Sequence, residues 1–435
     1  GLHPETLAVR EALPRSQWGE HCEALYMTSS FIQPDCETAA RRFAAQEEGY
    51  TYSRTSNPTV TSFEKRLAAM EGTECAVATT TGMSAILLVA LTTLKAGDHV
   101  VCSRSMFGST IKLLGTEMAR FGVETTFVSQ TDINEWKAAI KPNTRLFFAE
   151  TPTNPLTDLC DIAALAELAH AHGALLAVDN AHGAYLRFLE PSCHPLDLGA
   201  DLCCDSAHKT LPVLTGGAYL HISRAAPASL RESAKTAMAM FGSTSPSYLA
   251  LASLDLCNRY LADGYRDRLR EMCGRLEEAR KALTAAGWQV EPSDPLRLTV
   301  KAPAGMTGGQ LANRLRESGV ECEYADLDFL VLMLTPENRA ADIERLLHAF
   351  GTNNAAYAPQ PTLPLARGER VCSVREALFA PRETVPAARS LGRVCGAPTV
   401  GCPPAIPIAV SGEQIGPEAL ELFRRYGVEQ VEVLR

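Results

Sequence analysis

The sequence lacks the features that mark several large classes of protein. No apolar run approaches the roughly 18 residues of a membrane span, and no basic stripe is present in a chain whose formal net charge is −9. We therefore expect neither a membrane nor nucleic acid as a partner. Residues 1–20 mix charges with proline and lack the apolar core of a signal peptide. These absences favour a cytoplasmic protein.

Cysteine is plentiful, but it lacks the spacing that binds metals or forms disulfide frameworks. The fourteen cysteines are scattered along the chain, and they form no C-x-x-C pair. Structural zinc sites and disulfide-stabilised folds depend on short, repeated spacings. We therefore expect reduced thiols, many of them buried, and no metal site.

Strand and helix patterns alternate along the chain, which predicts an α/β fold with helices covering a mostly parallel sheet. We divide the chain into an amino-terminal arm (1–60), a large domain (61–285), a small α/β domain (286–350), a linker (351–370) and a carboxy-terminal unit (371–435). Predicted strands occupy residues 75–79, 99–102, 124–128, 145–149, 174–178, 296–301 and 329–334. Predicted helices occupy residues 82–94, 161–172, 309–318 and 340–350.

Two charged residues stand at the ends of predicted strands. Lys209 follows an apolar run at residues 200–204, and Asp179 ends an earlier run. Ligands of such sheets bind beyond the carboxyl ends of the strands. This pair suits pyridoxal phosphate (PLP), because a lysine forms its Schiff base and an aspartate keeps its pyridine nitrogen protonated. The alternatives are a surface lysine and a turn or helix-cap aspartate.

Other segments are suited to the phosphate of such a cofactor. Residues 79–84 open a predicted helix, where backbone N–H groups and the helix dipole attract an anion. Ser206 can add a hydroxyl, and Arg54 can clamp a phosphate with its planar guanidinium. The alternatives are simple helix capping at residues 79–84 and a solvated loop at residues 50–58.

An aromatic residue and two histidines complete the candidate constellation. Phe107 lies just beyond a predicted strand, where its ring can stack on a cofactor, and the alternative, a core phenylalanine, is ordinarily the favoured one. His182 follows Asp179 by three positions, and His208 precedes Lys209. A lone histidine is more often structural than catalytic. His208 has the stronger claim to proton transfer or contact with the cofactor ring.

Five motifs between residues 7 and 180 resemble the cystathionine γ-synthase family of PLP enzymes, and within it the sulfhydrylases that use O-succinylhomoserine. The motifs are Tyr52-Ser-Arg-Thr-Ser-Asn-Pro-Thr59, Thr81-Gly-Met-Ser84, Cys102-Ser-Arg-Ser-Met-Phe-Gly108, Glu150-Thr-Pro-Thr-Asn-Pro155 and Val178-Asp-Asn180.

The resemblance implies a role for each matching residue. Residues that would contact PLP within one subunit are Gly82, Met83 and Ser206 at the phosphate, Phe107 and Asn154 at the ring face and ring oxygen, and Asp179 at the ring nitrogen. Tyr52 and Arg54 would reach the phosphate of a neighbouring subunit. The resemblance therefore implies a homo-oligomer with shared active sites.

Residues 179–435 resemble a different family, the ornithine/lysine/arginine decarboxylases. The matching motifs include Ala181-His-Gly-Ala-Tyr185, Ser206-Ala-His-Lys-Thr-Leu-Pro212, Arg375-Glu-Ala-Leu-Phe-Ala-Pro381 and Pro403-Pro-Ala-Ile-Pro407. Both families imply the same large domain, the aminotransferase-like fold of PLP enzymes called fold type I, with a smaller carboxy-terminal α/β domain. A join between the two segments near Asp179 would keep the cofactor-binding residues in the same positions of that shared fold.

Three functional hypotheses follow, two of them for an enzyme with an amino-acid substrate. The main prediction is a lyase that decarboxylates lysine, ornithine or arginine, with Glu413 or Asp328 meeting the distal cation of the substrate. The alternative is a transferase of methionine and cysteine metabolism that replaces the leaving group of an activated homoserine ester with sulfur. That reaction needs a carboxylate anchor, for which Arg297 is the candidate. A second alternative is a PLP-binding protein with little catalytic activity.

Overall fold

The computed structural model describes residues 3–12, 17, 24–152, 160–242, 247–357, 368–401 and 407–435. The α-helices are α1 Pro4–Arg10, α2 Cys36–Phe43, α3 Pro58–Glu71, α4 Gly82–Thr93, α5 Gly108–Lys112, α6 Met118–Arg120, α7 Ile133–Ala138, α8 Ile162–Ala171, α9 Ala207–Thr210, α10 Ser229–Phe241, α11 Tyr248–Ala262, α12 Tyr265–Ala285, α13 Gly308–Glu317, α14 Ala340–Phe350, α15 Val374–Phe379 and α16 Pro417–Arg425. The strands are β1 Cys75–Thr79, β2 His99–Ser103, β3 Glu124–Val128, β4 Thr144–Glu150, β5 Leu175–Asp179, β6 Leu202–Asp205, β7 Ala218–Ile222, β8 Val290–Glu291, β9 Arg297–Lys301, β10 Tyr324–Ala325, β11 Phe329–Met333, β12 Arg382–Pro386, β13 Thr399–Gly401, β14 Pro407–Val410 and β15 Gln430–Leu434.

The main sheet has seven strands in the order β1-β7-β6-β5-β4-β2-β3. Strands β2 and β3 pair in parallel, and so do β5 and β6, whereas β7 is antiparallel to both β1 and β6. Every residue of β1, β2, β6 and β7 is buried. Strands covered on both faces are expected to be mostly apolar, and these are, although they carry buried polar residues such as His99, Asp205 and His221. The predicted α/β fold with a mostly parallel sheet is confirmed.

The chain divides into two compact units, and each is described by itself. The first unit comprises residues 1–95, 145–148 and 162–265, and the second unit comprises residues 96–144, 149–161 and 266–435. Within the first unit, helix α4 follows β1 and is almost entirely apolar, which suits a helix buried against a sheet. The predicted arm, residues 1–60, contains helices α1 and α2. Both helices are short, so they left no clear apolar period in the sequence.

The second unit adds smaller sheets to its share of the main sheet. A four-stranded sheet has the order β10-β11-β9-β8, and its paired strands are all antiparallel. Two further pairs, β12 with β15 and β13 with β14, lie in the carboxy-terminal unit. Their core includes Cys395, Ile415, Phe423 and Val433, which are at most 1% exposed. The predicted domain boundaries stay predictions.

Two sequence-based expectations concern the chemistry of the chain as a whole. Among the described residues, no helix combines the length and the apolar character that crossing a bilayer requires. The described cysteines are free thiols, and seven of the twelve are buried. Burial raises the pKa of thiols such as Cys102 and Cys204 well above its ordinary value, so these groups stay protonated and unreactive.

Candidate active site

Lys209 and Asp179 lie at the carboxyl ends of two neighbouring parallel strands. Asp179 is the last residue of β5, and β6 ends at Asp205, four residues before Lys209. Strand pairing places Asp179 opposite Cys204. The single-turn helix α9 then carries Lys209, whose backbone N–H donates to the carbonyl of Ser206 at 2.9 Å. The topology therefore brings the two predicted residues to one edge of the sheet, as expected for a ligand site.

The amine of Lys209 contacts a histidine. Its Nζ lies 3.2 Å from Nε2 of His182, which is 4% exposed. Asp179 is also buried, and its Oδ1 accepts a hydrogen bond from the backbone N–H of Ala181 at 3.1 Å. Burial raises the pKa of Asp179 to about 6, and the neighbouring Lys209 ammonium opposes that rise. The first unit thus holds an amine, an imidazole and a carboxyl group together.

The other histidine has a different environment. Nδ1 of His208 lies 3.1 Å from the carbonyl oxygen of Gly217, so the ring is hydrogen-bonded to the loop before β7. The structure therefore brings His182, and not His208, to the amine of Lys209. Both histidines were identified in the sequence, but adjacency along the chain favoured His208. Helical geometry explains the difference, since consecutive residues of a helical turn do not share a face.

The predicted phosphate elements meet at the start of α4. The helix is capped by Thr81, whose hydroxyl accepts a hydrogen bond from the backbone N–H of Ser84 at 3.0 Å. A β-carbon placed on Gly82 would lie 2.1 Å from Oγ of Ser206. Only glycine therefore fits beside this hydroxyl. The first turn of a helix, a glycine and a buried serine hydroxyl together form a suitable phosphate cradle. Met83 is the second residue of the same turn.

Tyr52 and Arg54 lie elsewhere in the first unit. The guanidinium of Arg54 stacks over the ring of Tyr52, at 5.5 Å from its centroid. Arg54 also lines a cavity of about 190 Å³ together with Thr80, Gly216 and the Glu64–Lys235 ion pair. Neither Lys209 nor Asp179 is among the residues that line it. The cavity does reach the predicted phosphate segment, since Thr79 and Thr80 line it. The predicted contact of Tyr52 and Arg54 with a neighbouring subunit stays a prediction.

The remaining candidates belong to the second unit or lie outside the described residues. Phe107 precedes α5, is 46% exposed and donates its backbone N–H to Glu150. Arg297, the proposed carboxylate anchor, is buried on β9 and paired with Asp294 at 3.3 Å. Asn154 lies outside the described residues.

The two acidic candidates for a substrate cation have cationic partners in the second unit. Asp328 accepts a hydrogen bond from Nη2 of Arg425 at 2.6 Å. Glu413 is 2% exposed and forms an ion pair with Arg104. Both carboxylates therefore already neutralise an arginine of this chain.

Sequence reasoning missed two polar residues beneath the candidate site. Asn180 donates from Nδ2 to Oδ1 of Asp205 at 2.6 Å, and both side chains are buried. This bond links the residue after β5 to the last residue of β6. The available signal was the position of Asp205, a charged residue that ends an apolar run just before Ser206.

The described residues fit PLP at this site. Lys209 supplies a partly buried amine, Asp179 supplies a buried carboxyl group for a ring nitrogen, and the Gly82–Ser206 contact supplies a cradle that a larger side chain would fill. This combination is the donor set that PLP enzymes require.

The fold is the aminotransferase-like α/β fold called fold type I. The crystal structure of metB from Corynebacterium glutamicum matches with a TM-score of 0.63 and 24% sequence identity, and the match covers 80% of this chain and 98% of that one. Residues 5–216 match the model of the Cys/Met metabolism PLP-dependent enzyme family. The amino-terminal half of the chain is therefore similar to that family.

Curated relatives are similar over the same half. An O-succinylhomoserine sulfhydrylase of Pseudomonas aeruginosa is 52% identical over 206 residues, which are 47% of this chain and 50% of the relative. An L-methionine gamma-lyase of Fusobacterium nucleatum subsp. polymorphum is 42% identical over 206 residues, which are 47% of this chain and 51% of the relative. The chain thus spans about half the length of the curated relatives that it matches.

These comparisons overturn the main functional prediction. The matched family and the curated relatives act in cysteine and methionine metabolism, so decarboxylation of a basic amino acid is the wrong reading of the sequence. The comparisons also give no support to the resemblance of residues 179–435 to the decarboxylases. Two of the motifs that suggested it lie near the lysine of the shared fold, and a fold does not determine the reaction.

Proposed function

We propose that this protein is a PLP-dependent enzyme of cysteine and methionine metabolism that forms a Cγ–S bond from O-succinylhomoserine and sulfide, with the Cγ–O bond broken and succinate released. The observation that carries the proposal is the joint position of Lys209 and Asp179 at the ends of β5 and β6. The 52% identity to the sulfhydrylase of Pseudomonas aeruginosa supports the choice of reaction.

Each residue has a distinct part in this proposal. PLP, when bound, supplies an electron sink for charge that develops on the amino-acid substrate. The buried carboxylate of Asp179 would hold its ring nitrogen, while Ser206 and the backbone N–H groups that begin α4 would bind its phosphate. Because the carboxyl group is buried, little water competes for that contact, and its charge is best satisfied by a cationic ring nitrogen.

Lys209 is the group that moves protons. Replacement at Cγ requires proton transfer at Cα and then at Cβ, and a lysine amine on a flexible four-carbon stem can serve both positions. His182, at 3.2 Å, orients that amine and exchanges a proton with it. Elimination by a gamma-lyase needs the same two proton transfers, and the relative from Fusobacterium makes it the second candidate.

A product assay tests the proposal. The PLP-loaded protein is given O-succinylhomoserine with and without sulfide, and separately methionine, lysine, ornithine and arginine, and products are identified by mass spectrometry. Homocysteine that forms only when sulfide is present supports replacement. A 2-oxo acid and ammonia formed without sulfide would indicate elimination instead.

The controls address the remaining outcomes. Lys209→Ala should abolish product, whereas Lys281→Ala, which changes an exposed lysine of α12, should not. A PLP-loaded parent protein that forms no product from any substrate would overturn the proposal and favour a binding protein with little activity.

A further inference from the structure

Five buried side chains with metal-binding atoms cluster beneath the candidate active site. They are Glu71 at the end of α3, His194 in the loop before β6, Cys203 and Asp205 on β6, and His221 on β7. Each is at most 3% exposed. No step of the proposed reaction uses them, and such a concentration of ionisable groups in a core requires a physical explanation.

Three of these groups have the spacing of ligands around one ion. Nε2 of His194 lies 3.3 Å from Oδ2 of Asp205 and 3.6 Å from Sγ of Cys203, and that sulfur lies 3.9 Å from the same oxygen. Bond lengths of about 2.0–2.3 Å and tetrahedral angles around zinc separate such atoms by roughly 3.4–3.6 Å. The three atoms therefore span a face of a tetrahedron that needs little adjustment.

The second pair of the cluster supplies an independent observation. Oε2 of Glu71 lies 3.0 Å from Nε2 of His221, and this nitrogen lies 3.7 Å from Oδ2 of Asp205. Yet within the described part of the chain, the carboxylate oxygens of Glu71 and the ring nitrogens of His221 make no hydrogen bond of good geometry. Asp205 therefore faces both imidazoles of the cluster, and a cation bound at its Oδ2 would supply its counter-charge.

We propose that His194, Cys203 and Asp205 bind one zinc-class divalent cation, with a water molecule as the fourth ligand. A thiolate and a carboxylate balance the two charges of the ion, while Glu71 and His221 balance each other beside it. A sulfur and a nitrogen donor favour zinc over magnesium or calcium, which prefer oxygen. The thiol proton and any water displaced from the ion leave on binding.

The surroundings of the ligands support a structural role. Asn180 donates to Oδ1 of Asp205 at 2.6 Å, which orients the carboxylate and leaves Oδ2 for the ion. Binding at Nε2 of His194 places the ring proton on Nδ1, so the 3.4 Å contact of Nδ1 with the N–H of Leu196 must lengthen. That contact is already longer than an ordinary hydrogen bond. The ion would fix the end of β6, from which the segment carrying Lys209 begins.

No spacing in the sequence indicates this site, because one ligand comes from the loop before β6 and the other two from β6 itself. The expectation that the chain has no metal site rested on the absence of closely spaced cysteines and histidines. The proposed site instead forms by folding, and only Cys203 and Asp205 are neighbours on one face of a strand.

The test is metal analysis of the full-length protein, purified without a metal-affinity tag and incubated with zinc or with cobalt(II). We expect one tightly held zinc ion per chain by mass spectrometry. The cobalt-minus-zinc difference spectrum, which removes the absorbance of PLP, should show a thiolate-to-cobalt band. Cys203→Ser should lose the band and most of the bound metal.

Cys204→Ser is the matched control, because Cys204 is equally buried and adjacent on β6, but its side chain points to the opposite face. It should keep the metal and the band. A folded parent protein that holds neither ion after dialysis would overturn the proposal, and so would a thiolate band that survives in Cys203→Ser. Whether metal stays bound after dialysis is decided by the parent protein alone, so the test stands even if a variant fails to fold.

Discussion

At the scale of single residues, the amine of Lys209 and its partner decide what the candidate site can do. The sequence was sufficient to predict that Lys209 and Asp179 lie at one edge of the sheet, since each ends or follows an apolar run and a parallel sheet brings such ends together. Their roles stay predictions. The sequence was insufficient to choose between His182 and His208. That choice depends on the direction of a side chain in one turn of helix, and adjacency along the chain does not give that direction.

The two histidines give a prediction at this scale. His182→Gln should lower kcat by roughly 10²-fold, because the amine of Lys209 loses the group that orients it and exchanges its proton. His208→Gln should have a much smaller effect, since the His208 ring bonds to the carbonyl of Gly217. Steady-state kinetics and the pH profile of kcat measure both. Equal losses in the two variants, with unchanged pH profiles, would show that neither imidazole acts on the lysine.

The phosphate cradle gives a second prediction. Gly82→Ala should weaken PLP binding at least tenfold, because the new β-carbon would lie 2.1 Å from Oγ of Ser206 and displace it from the cradle. Equilibrium titration with PLP measures the change. Gly274→Ala is the matched control, because that glycine lies in α12 with nothing within 4 Å of the added carbon. The control should keep its affinity and gain up to about 1 kcal/mol of stability. Unchanged affinity in Gly82→Ala would place the phosphate elsewhere.

At the scale of secondary structure, the apolar pattern predicted most elements of the sheet within two residues. Strand β1 has its predicted bounds, and the helix predicted at 82–94 ends one residue earlier as α4. Buried parallel strands and amphipathic helices leave strong patterns in the sequence. A buried strand is apolar along most of its length, whereas an amphipathic helix is apolar on one face. The short helix α2 was not predicted, and its start is fixed by a local cap, in which Asp35 accepts a hydrogen bond from the N–H of Thr38.

Strand β2 carries a titratable residue that makes the second unit sensitive to acid. His99 is buried, with Nδ1 at 2.8 Å from the hydroxyl of Thr144 and Nε2 at 2.9 Å from that of Thr126. Burial lowers the pKa of His99 from 6.5 to about 4. The unfolded chain therefore binds a proton below pH 6.5 that the folded chain resists. The free energy of unfolding should fall as the pH drops from 6.5 towards 4.

Urea unfolding at pH 7.5 and pH 5 measures this effect. His99→Gln keeps a hydrogen-bonding side chain but cannot be protonated in this range. Its stability at pH 7.5 should be lower than that of the parent, and its further loss at pH 5 should be smaller. If parent and variant lose the same stability between the two pH values, the acid sensitivity arises from other groups.

At the scale of the whole molecule, the chain joins a segment similar to a known family with a carboxy-terminal part outside that match. Residues 5–216 match the family model, and the 371–435 unit lies beyond it. The second unit nevertheless contains residues 96–144 of the matched segment together with the 371–435 unit, and these two parts contact each other. Arg375 donates to the backbone carbonyl of Arg120 at 2.9 Å, and Arg104 pairs with Glu413. A sequence cannot reveal such contacts, since the paired residues lie far apart along it.

The Arg104–Glu413 pair shows how firmly these parts are joined. Both side chains are largely buried, and Glu413 also accepts a hydrogen bond from the N–H of Val410 at 3.2 Å. Glu413→Gln would leave the charge of Arg104 without its carboxylate in a core, which costs about 3–5 kcal/mol. We expect that loss in urea unfolding, and we expect no change in KM, because Glu413 serves packing and does not bind substrate. Glu432→Gln, which removes a more exposed partner of Arg382, should cost less than about 1 kcal/mol. A Glu413→Gln variant that kept its stability but bound substrate more weakly would mean that this carboxylate faces the substrate after all. The carboxy-terminal unit would then shape the active site as well as complete the second unit.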